Sequence, residues 1–415
     1  MKILIAPYIL FVDIGNFIWY NKIKKVVQRI GVWILRYLLE RKPPSMPMPF
    51  FLLIIRREFG LEKYIILEGN VTTNTLYTSV LHSLRDYYRC EKEVAPVLDL
   101  TKVTFIEPEA IPLLISFGDY FSRLYHSEIE IDMEERGPLQ NFLINIGFLR
   151  YTKDEKIYYF ANDYMKNWLY ANRDIHKIIW MKRAEEYSDV ASIADLEVRR
   201  TYLSDNIQKN IEEQCTRILS DTHKLPENLI KYTIEGLAEI ITNASIYSEN
   251  QSYAYLASDK FGTKGSVCDC GVGLEYSYEK QGKKCEWIYN NDDIMKNPEL
   301  KNFYLIMEIM NYSYCKHRKG ERCNLWTVQN DFTTYGGSFK IHYGNIQVIF
   351  SSKRCRGCRK VSYFNEEGNR IFVADDLQPC LVCLREGYFS NQNLAITNYD
   401  VAFRGVHIEF EIPRR

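Results

Sequence analysis

Apolar and polar positions along this chain fall into two successive patterns. From Tyr64 the run Tyr64-Ile65-Ile66-Leu67 predicts a strand, and Leu76, Val80, Leu81 and Leu84 share one face of a helix predicted over Thr72 to Tyr88. Ala95 to Leu100 predicts a second strand. Pro108 to Leu124 predicts a helix with proline in its first turn. Ile129 to Asp132 reads as a strand and Leu139 to Ile146 as a short helix. Strand and helix alternating over this length argue for a small α/β domain. Residues 150 to 225 are more polar and mostly helical in pattern. Pro226 and Glu227 then open a strong helix running to about Ser248. Strand signals follow at Gly265 to Cys268, Ser338 to His342, Ile346 to Phe350 and Val406 to Ile412.

A chain of 415 residues has room for two or three such domains. Lys plus Arg and Asp plus Glu both number 53, so no overall field selects nucleic acid or acidic lipid, and any charge argument is local. Eleven cysteines without a secreted-scaffold pattern point to a reducing cytoplasm, with metal binding as the use of any cysteine cluster. Ile3 to Val12 is apolar, but Pro7 interrupts it and Asp13 ends it, short of the ~17–25 residues of a spanning helix. A peripheral membrane helix and a helix packed on its neighbour both remain open, the second being favoured; no secretory cleavage site follows. Pro43-Pro44-Ser45-Met46-Pro47-Met48-Pro49 is a stiff linker closing this segment, residues 1–50.

The helix from Pro226 carries the first candidate chemistry. Glu235, Glu239 and Asn243 are four apart and share a face, with Ile230, Ile234, Leu237, Ile241 and Ala244 expected on the opposite, sheet-packing face. An Asn one turn from a carboxylate suits a Mg²⁺ held by oxygen, with the carboxylate orienting water or a hydroxyl. The same pattern also describes a plain solvated face. The second element is Asp269-Cys-Gly-Val-Gly273 after a strand. A carboxylate there can accept from an exocyclic amino group, and Gly271 and Gly273 allow close backbone approach; glycines also simply end strands.

In this order the two elements resemble the GHKL ATPase superfamily, which includes sensor histidine kinases, gyrase and anti-sigma-factor serine kinases. Glu239-Ile-Ile-Thr-Asn243 looks like its N box and Asp269 to Gly273 like its first glycine box. Leu325-Trp-Thr-Val328, Tyr335-Gly-Gly-Ser338, Phe339 to His342 and the closing Phe403 to Phe410 resemble its later helix, turn and strands. The resemblance covers roughly residues 195 to 412. It implies a Bergerat-type α/β sandwich binding ATP and Mg²⁺, with Asp269 reading adenine, Asn243 holding Mg²⁺ and Glu239 as base. The second glycine box departs from the pattern: in Gly320-Glu-Arg-Cys-Asn-Leu325 only Gly320 remains, and Arg322 stands where it could contact phosphate. A weakened triphosphate site is the alternative. No phospho-acceptor histidine motif precedes the N box, so transfer to Ser or Thr of a partner, or ATP-driven switching, is the expected use.

Upstream, Val97-Leu-Asp-Leu-Thr-Lys-Val-Thr-Phe-Ile-Glu-Pro-Glu-Ala-Ile111 and Leu139 to Phe148 resemble STAS domains of the anti-anti-sigma kind, which implies a protein-interaction surface. In phosphorylatable members a Ser or Thr follows the loop acid; here Glu107 is followed by Pro108 and Glu109, neither of which accepts a phosphoryl group. Glu109 reads as an acid favoured by a helix N-terminus, imitation of a phosphorylated state being the alternative.

Cys355-Arg-Gly-Cys358 and Cys380-Leu-Val-Cys383, with 21 residues between the pairs, have the two-knuckle spacing of a structural Zn²⁺ site, redox-active thiols being the alternative. Lys353, Arg354, Arg356, Arg359 and Lys360 flank the first knuckle, as a solubilising patch or a contact for nucleic acid or an acidic protein. The expected organisation is an α/β chain: a helical segment and linker at 1–50, an STAS-like domain at 55–152, a helical connector at 153–194, and a GHKL-type domain at 195–415 with a four-cysteine zinc-knuckle insertion at 351–398. The expected function is that of a cytoplasmic signalling protein with a protein partner, as ATPase, Ser/Thr kinase or non-catalytic scaffold. A homodimer is left open and a membrane role is not expected.

Overall fold

Ile65, Leu67 and Val71 of strand β1 (Tyr64–Val71) are buried while Ile66 is exposed, the two-residue period of a sheet with one covered face. The structure, a computed structural model, describes residues 64–81, 95–134, 137–160, 177–181, 192–223, 225–248, 250–280, 296, 301–306, 309–310, 325–351, 362–364, 370–372 and 396–414. These belong to one unit, Tyr64–Arg415. The N-terminal segment, the Pro-rich linker, Gly320, Arg322 and the four cysteines at 355, 358, 380 and 383 lie outside the described residues.

The unit is mixed α/β, with one parallel and one antiparallel sheet. Four strands are parallel in the order β1, β2 (Val97–Ile106), β3 (Ile129–Asp132) and β4 (Tyr158–Phe160). Parallel neighbours need crossovers, and helix α1 (Ala110–Tyr125) supplies the one from β2 to β3. Helices α2 (Pro138–Asn145) and α3 (Phe148–Asp154) lead on to β4. Ala110 through Asp119 is buried without a break, so α1 has no solvent face there. It lies between β3 and the second sheet. Gly118 is needed where α1 meets β4: a Cβ there would fall within the Tyr158 ring.

The second sheet is antiparallel, in the order β5 (Lys177–Met181), β6 (Ser252–Ser258), β7 (Gly262–Asp269), β11 (Ile396–Pro413) and β8 (Ser338–Ser351). Helices α4 (Leu196–Arg217), α5 (Glu227–Tyr247) and α7 (Leu325–Thr334) share one core with it, through residues such as Leu203, Leu237, Phe332 and Phe410. Tyr253, Tyr255, Cys268, Tyr399 and Phe403 belong instead to the core of the parallel layer. Both faces of this sheet are therefore covered. That explains why β6 carries no alternation in its sequence: both sets of side chains are buried.

Several elements differ from expectation. The stretch 153–194 is not simply a helical connector, because it contributes β4 to one sheet and β5 to the other. Short apolar runs such as Lys177-Ile-Ile-Trp-Met181 do not distinguish helix from strand by period, and pairing with β6 decides. The strands expected at Ser338–His342 and Ile346–Phe350 are one continuous strand. Gly344, at φ 62°, sits where the pairing with β11 shifts register, so the strand passes through a bulge there. The segment between β8 and β11 contains an antiparallel pair, β9 (Ser362–Phe364) and β10 (Arg370–Phe372). Because β8 and β11 are themselves paired, with Ile396, Thr397 and Asn398 already in register with β8, the stretch between Ser351 and Ile396 leaves and rejoins one hairpin.

A polar seam joins the two layers. Lys264 Nζ lies 3.2 Å from Glu109 Oε1, and the Ser266 hydroxyl donates to the Glu109 carbonyl at 2.8 Å. Glu109 stands at the start of α1, as expected, and is in addition a buried interlayer partner. Burial pushes its carboxyl above the usual range and Lys264 opposes the shift. Tyr77 Oη is 3.1 Å from His407 Nδ1, and Lys340 Nζ donates to Glu409 Oε2 at 2.6 Å. Burial holds His407 down to about 4, so its ring is neutral at pH 7.

Candidate functional site

The cleft with the most concentrated chemistry lies between α5 and the end of β7. Its cavity volume is about 130 Å³, and Ile240, Ala244, Leu274, Ile306, Ile341 and Ile408 supply much of an apolar lining. An apolar cleft with a few convergent polar groups is the usual form of a small-molecule site. Arg200, Glu239, Asn243, Ser248, Asp269 and Ser277 are its polar members.

Helix α5 positions Glu239 and Asn243. Most of it is buried, including Glu239, because it is wedged between the sheet and helices α4 and α7. Ile230, Ile234, Leu237, Ile241 and Ala244 are buried in the shared core, as expected of the packing face, and Ala244 also lines the cleft; the opposite face is not simply solvated, because Glu239 is buried while Glu235 lies 3.9 Å from Lys231. Gly236 admits the Val328 side chain of α7. Asn243 Nδ2 donates to Glu239 Oε1 at 3.0 Å.

The unanticipated member is Arg200, in the first turns of α4. Asp195 caps that helix, accepting from Glu197 N at 2.9 Å and Val198 N at 3.0 Å. Arg200 Nη2 donates to Glu239 Oε1, and its Nε donates to Asn243 Oδ1 at 3.4 Å. Burial works against the guanidinium charge, and Glu239 outweighs it, leaving Arg200 above its ordinary value. The oxygen that the resemblance assigns to Mg²⁺, on Asn243, and the carboxylate that it makes the base, on Glu239, thus both face a guanidinium. No local signal in Val198-Arg199-Arg200 marks this role, since the partners lie 39 and 43 residues downstream.

Asp269 closes β7. Its Oδ1 accepts from Gly271 N at 2.9 Å, and the Val406 backbone also favours its charge. Burial outweighs both and raises the carboxyl to about 7. The two glycines after it do different things. Gly273 lines the cleft, opens helix α6 (Gly273–Lys280) and has φ 85°, a left-handed value that favours glycine. Gly271 instead meets the Ser248 carbonyl, where a Cβ would collide, and Val272 N donates to that carbonyl at 3.0 Å. That contact ties the end of α5 to the Asp269 turn.

Cys268 and Cys270 are buried. Cys270 also touches polar groups of α1: Arg123 Nη2 lies 3.0 Å from its sulfur. Arg123 is paired with Asp119 at 2.9 Å. Among the described residues no group of three or more His, Cys, Asp or Glu is placed to hold a metal ion, and no helix is long and apolar enough to cross a membrane. No protein-family model, curated protein or solved structure matches this chain.

Proposed function

We propose that the cleft between α5 and β7 binds an adenine nucleotide, with ATP as the expected ligand. The observation that carries this reading is Asp269: a buried carboxylate among the apolar residues lining an open cleft. Such a group recognises a donor on a flat, largely apolar molecule, as the amino edge of adenine presents it. The reading is also supported by the motif order described above and by α5 lying over an antiparallel sheet, as a Bergerat-type domain requires. The parallel layer against the other face is the STAS-like part in this reading. There it serves as the surface through which nucleotide state reaches a protein partner in cytoplasmic signalling. The zinc knuckle is a separate structural element of the same proposal.

Turnover is a second question. In a kinase or ATPase, Glu239 would orient the attacking hydroxyl or water. Its hydrogen bonds to Arg200 and Asn243 favour the non-catalytic alternative, because a carboxylate engaged by a guanidinium is a poor proton acceptor. Titration of the full chain with ATP, adenosine and GTP tests the binding reading. ATP and adenosine should bind and GTP should not, since guanine presents a carbonyl to Asp269 where adenine presents an amino group. Equal affinity for GTP would overturn it.

A further inference from the structure

We infer that Arg200, rather than a divalent cation, is the positive group that receives the phosphates in this cleft, so that nucleotide binding does not require metal. The inference rests on the nucleotide reading above and extends it to the polyphosphate end of the ligand.

Three observations carry it. First, the side chains best placed to ligate a cation, Glu239 and Asn243, both direct oxygen atoms at Arg200. A divalent ion bound to those atoms would sit against a guanidinium that is itself largely buried, at 13% side-chain exposure. Two like charges at that separation disfavour each other strongly where water is scarce.

Second, Arg200 is held rather than loose. Glu239 and Asn243 fix one side of its guanidinium, and the carboxylate of Glu197 lies 3.9 Å from Nη1. A guanidinium carries five N–H donors in a rigid plane, and its hydrogen bonds to Glu239 and Asn243 engage only part of that set. Arg200 lines the cleft. A planar, pre-oriented donor set suits phosphate oxygens and loses little entropy on binding.

Third, the spacing along α5 fits a nucleotide. Glu239 marks the Arg200 end, and Ser248 touches the Gly271–Val272 turn beside Asp269. Because Arg200 spans Glu239 and Asn243, it stands five to nine helical residues from Ser248, about 8–13 Å at the α-helical rise. A carboxylate for a donor and a guanidinium for an anion thus stand at opposite ends of one apolar cleft. A nucleotide carries its amino group and its phosphates at opposite ends in the same way. On this account Glu239 is a positioning residue, the buried counter-charge that holds Arg200 in place.

The test is calorimetric titration of the full chain with ATP and with adenosine, in Mg²⁺-saturated buffer and in buffer freed of divalent ions by chelating resin. No soluble chelator is added, so cysteine-bound metal is left in place. The native protein should bind ATP equally well in both buffers. Arg200→Gln should weaken ATP by roughly tenfold or more, the loss of charge-assisted bonds to phosphate, and leave adenosine unchanged. Because that variant strands a buried carboxylate, the pair Arg200→Gln with Glu239→Gln, which replaces the ions by two amides, is measured beside it with the same expectation. If native ATP binding requires Mg²⁺ while adenosine binds without it, the inference falls and the nucleotide reading stands. If both variants keep native ATP affinity, the inference likewise falls. If neither ATP nor adenosine binds the native protein, the nucleotide reading itself is wrong and takes the inference with it.

Discussion

Replacing Asp269 by Asn should change stability and binding in opposite directions. The Asp269 carboxyl is raised from its ordinary 3.8 to about 7, burial exceeding the help from the Gly271 and Val406 backbone. A raised acid contributes stability that is present in full below the unfolded pKa and is lost as pH rises through the folded value, here from about pH 4 to pH 7. A rise of that size corresponds to at most about 4 kcal/mol, so at pH 8 the empty protein carries a buried charge that Asn would remove. The empty Asp269→Asn protein should therefore melt higher than native at pH 8, and the gain should shrink toward pH 4. Adenine binding has the reverse sign. The amino group donates to the ionised carboxylate, so native affinity should fall roughly tenfold from pH 8 to pH 6 as that carboxylate takes up a proton. Binding at pH 7 should release about half a proton, seen in calorimetry as a dependence of heat on the buffer's ionisation enthalpy. In Asp269→Asn the affinity should be lower by roughly 1.5–3 kcal/mol at pH 8 and lose this pH dependence. Titration and thermal melts of both proteins between pH 5.5 and 8.5 decide it. A flat native pH profile, or unchanged ATP affinity in the variant, refutes the role given to Asp269.

Other outcomes bear on the layers and the insertion. Lys264→Met should destabilise the fold by about 1–3 kcal/mol at pH 7, a figure discounted because Lys264 is partly exposed, by stranding the buried Glu109 carboxylate. The loss should shrink as pH falls, because burial raises the Glu109 carboxyl and so eases its protonation, and adding Glu109→Gln should recover it in urea titrations. Gly118→Ala should cost about 1–3 kcal/mol by forcing α1 away from the Tyr158 ring, read as a lower denaturation midpoint. Elemental analysis should find a single Zn²⁺ per chain and its loss in Cys380→Ser; a native chain free of metal after reducing, chelator-free purification would leave a redox pair instead.

The separation of what was readable in the sequence from what was not follows the range of the forces involved. Helix α5 was legible because its period and its Pro226 start are local, and so was the Glu239–Asn243 pair, whose 3.0 Å hydrogen bond follows from a spacing of four. Asp269 was legible because a strand ending in Asp and glycine is also a local pattern. Arg200 was not, because nothing near it in the chain distinguishes a surface arginine from one aimed at Glu239; the crossing of α4 over α5 decides that. Strands β5 and β6 were not, because a run as short as Lys177–Met181 does not distinguish helix from strand by period, and β6, buried on both faces, lacks the alternation by which strands are recognised. Glu109 was legible as the helix-start acid that it is, but not as the buried partner of Lys264, which only the antiparallel sheet supplies. Local periodicity thus determined the principal helices, most of the strands and the two ends of the cleft. Only the stacking of one layer on the other determined which polar groups are buried together, because hydrogen bonds and ion pairs between distant segments exist only after the apolar faces have closed over them.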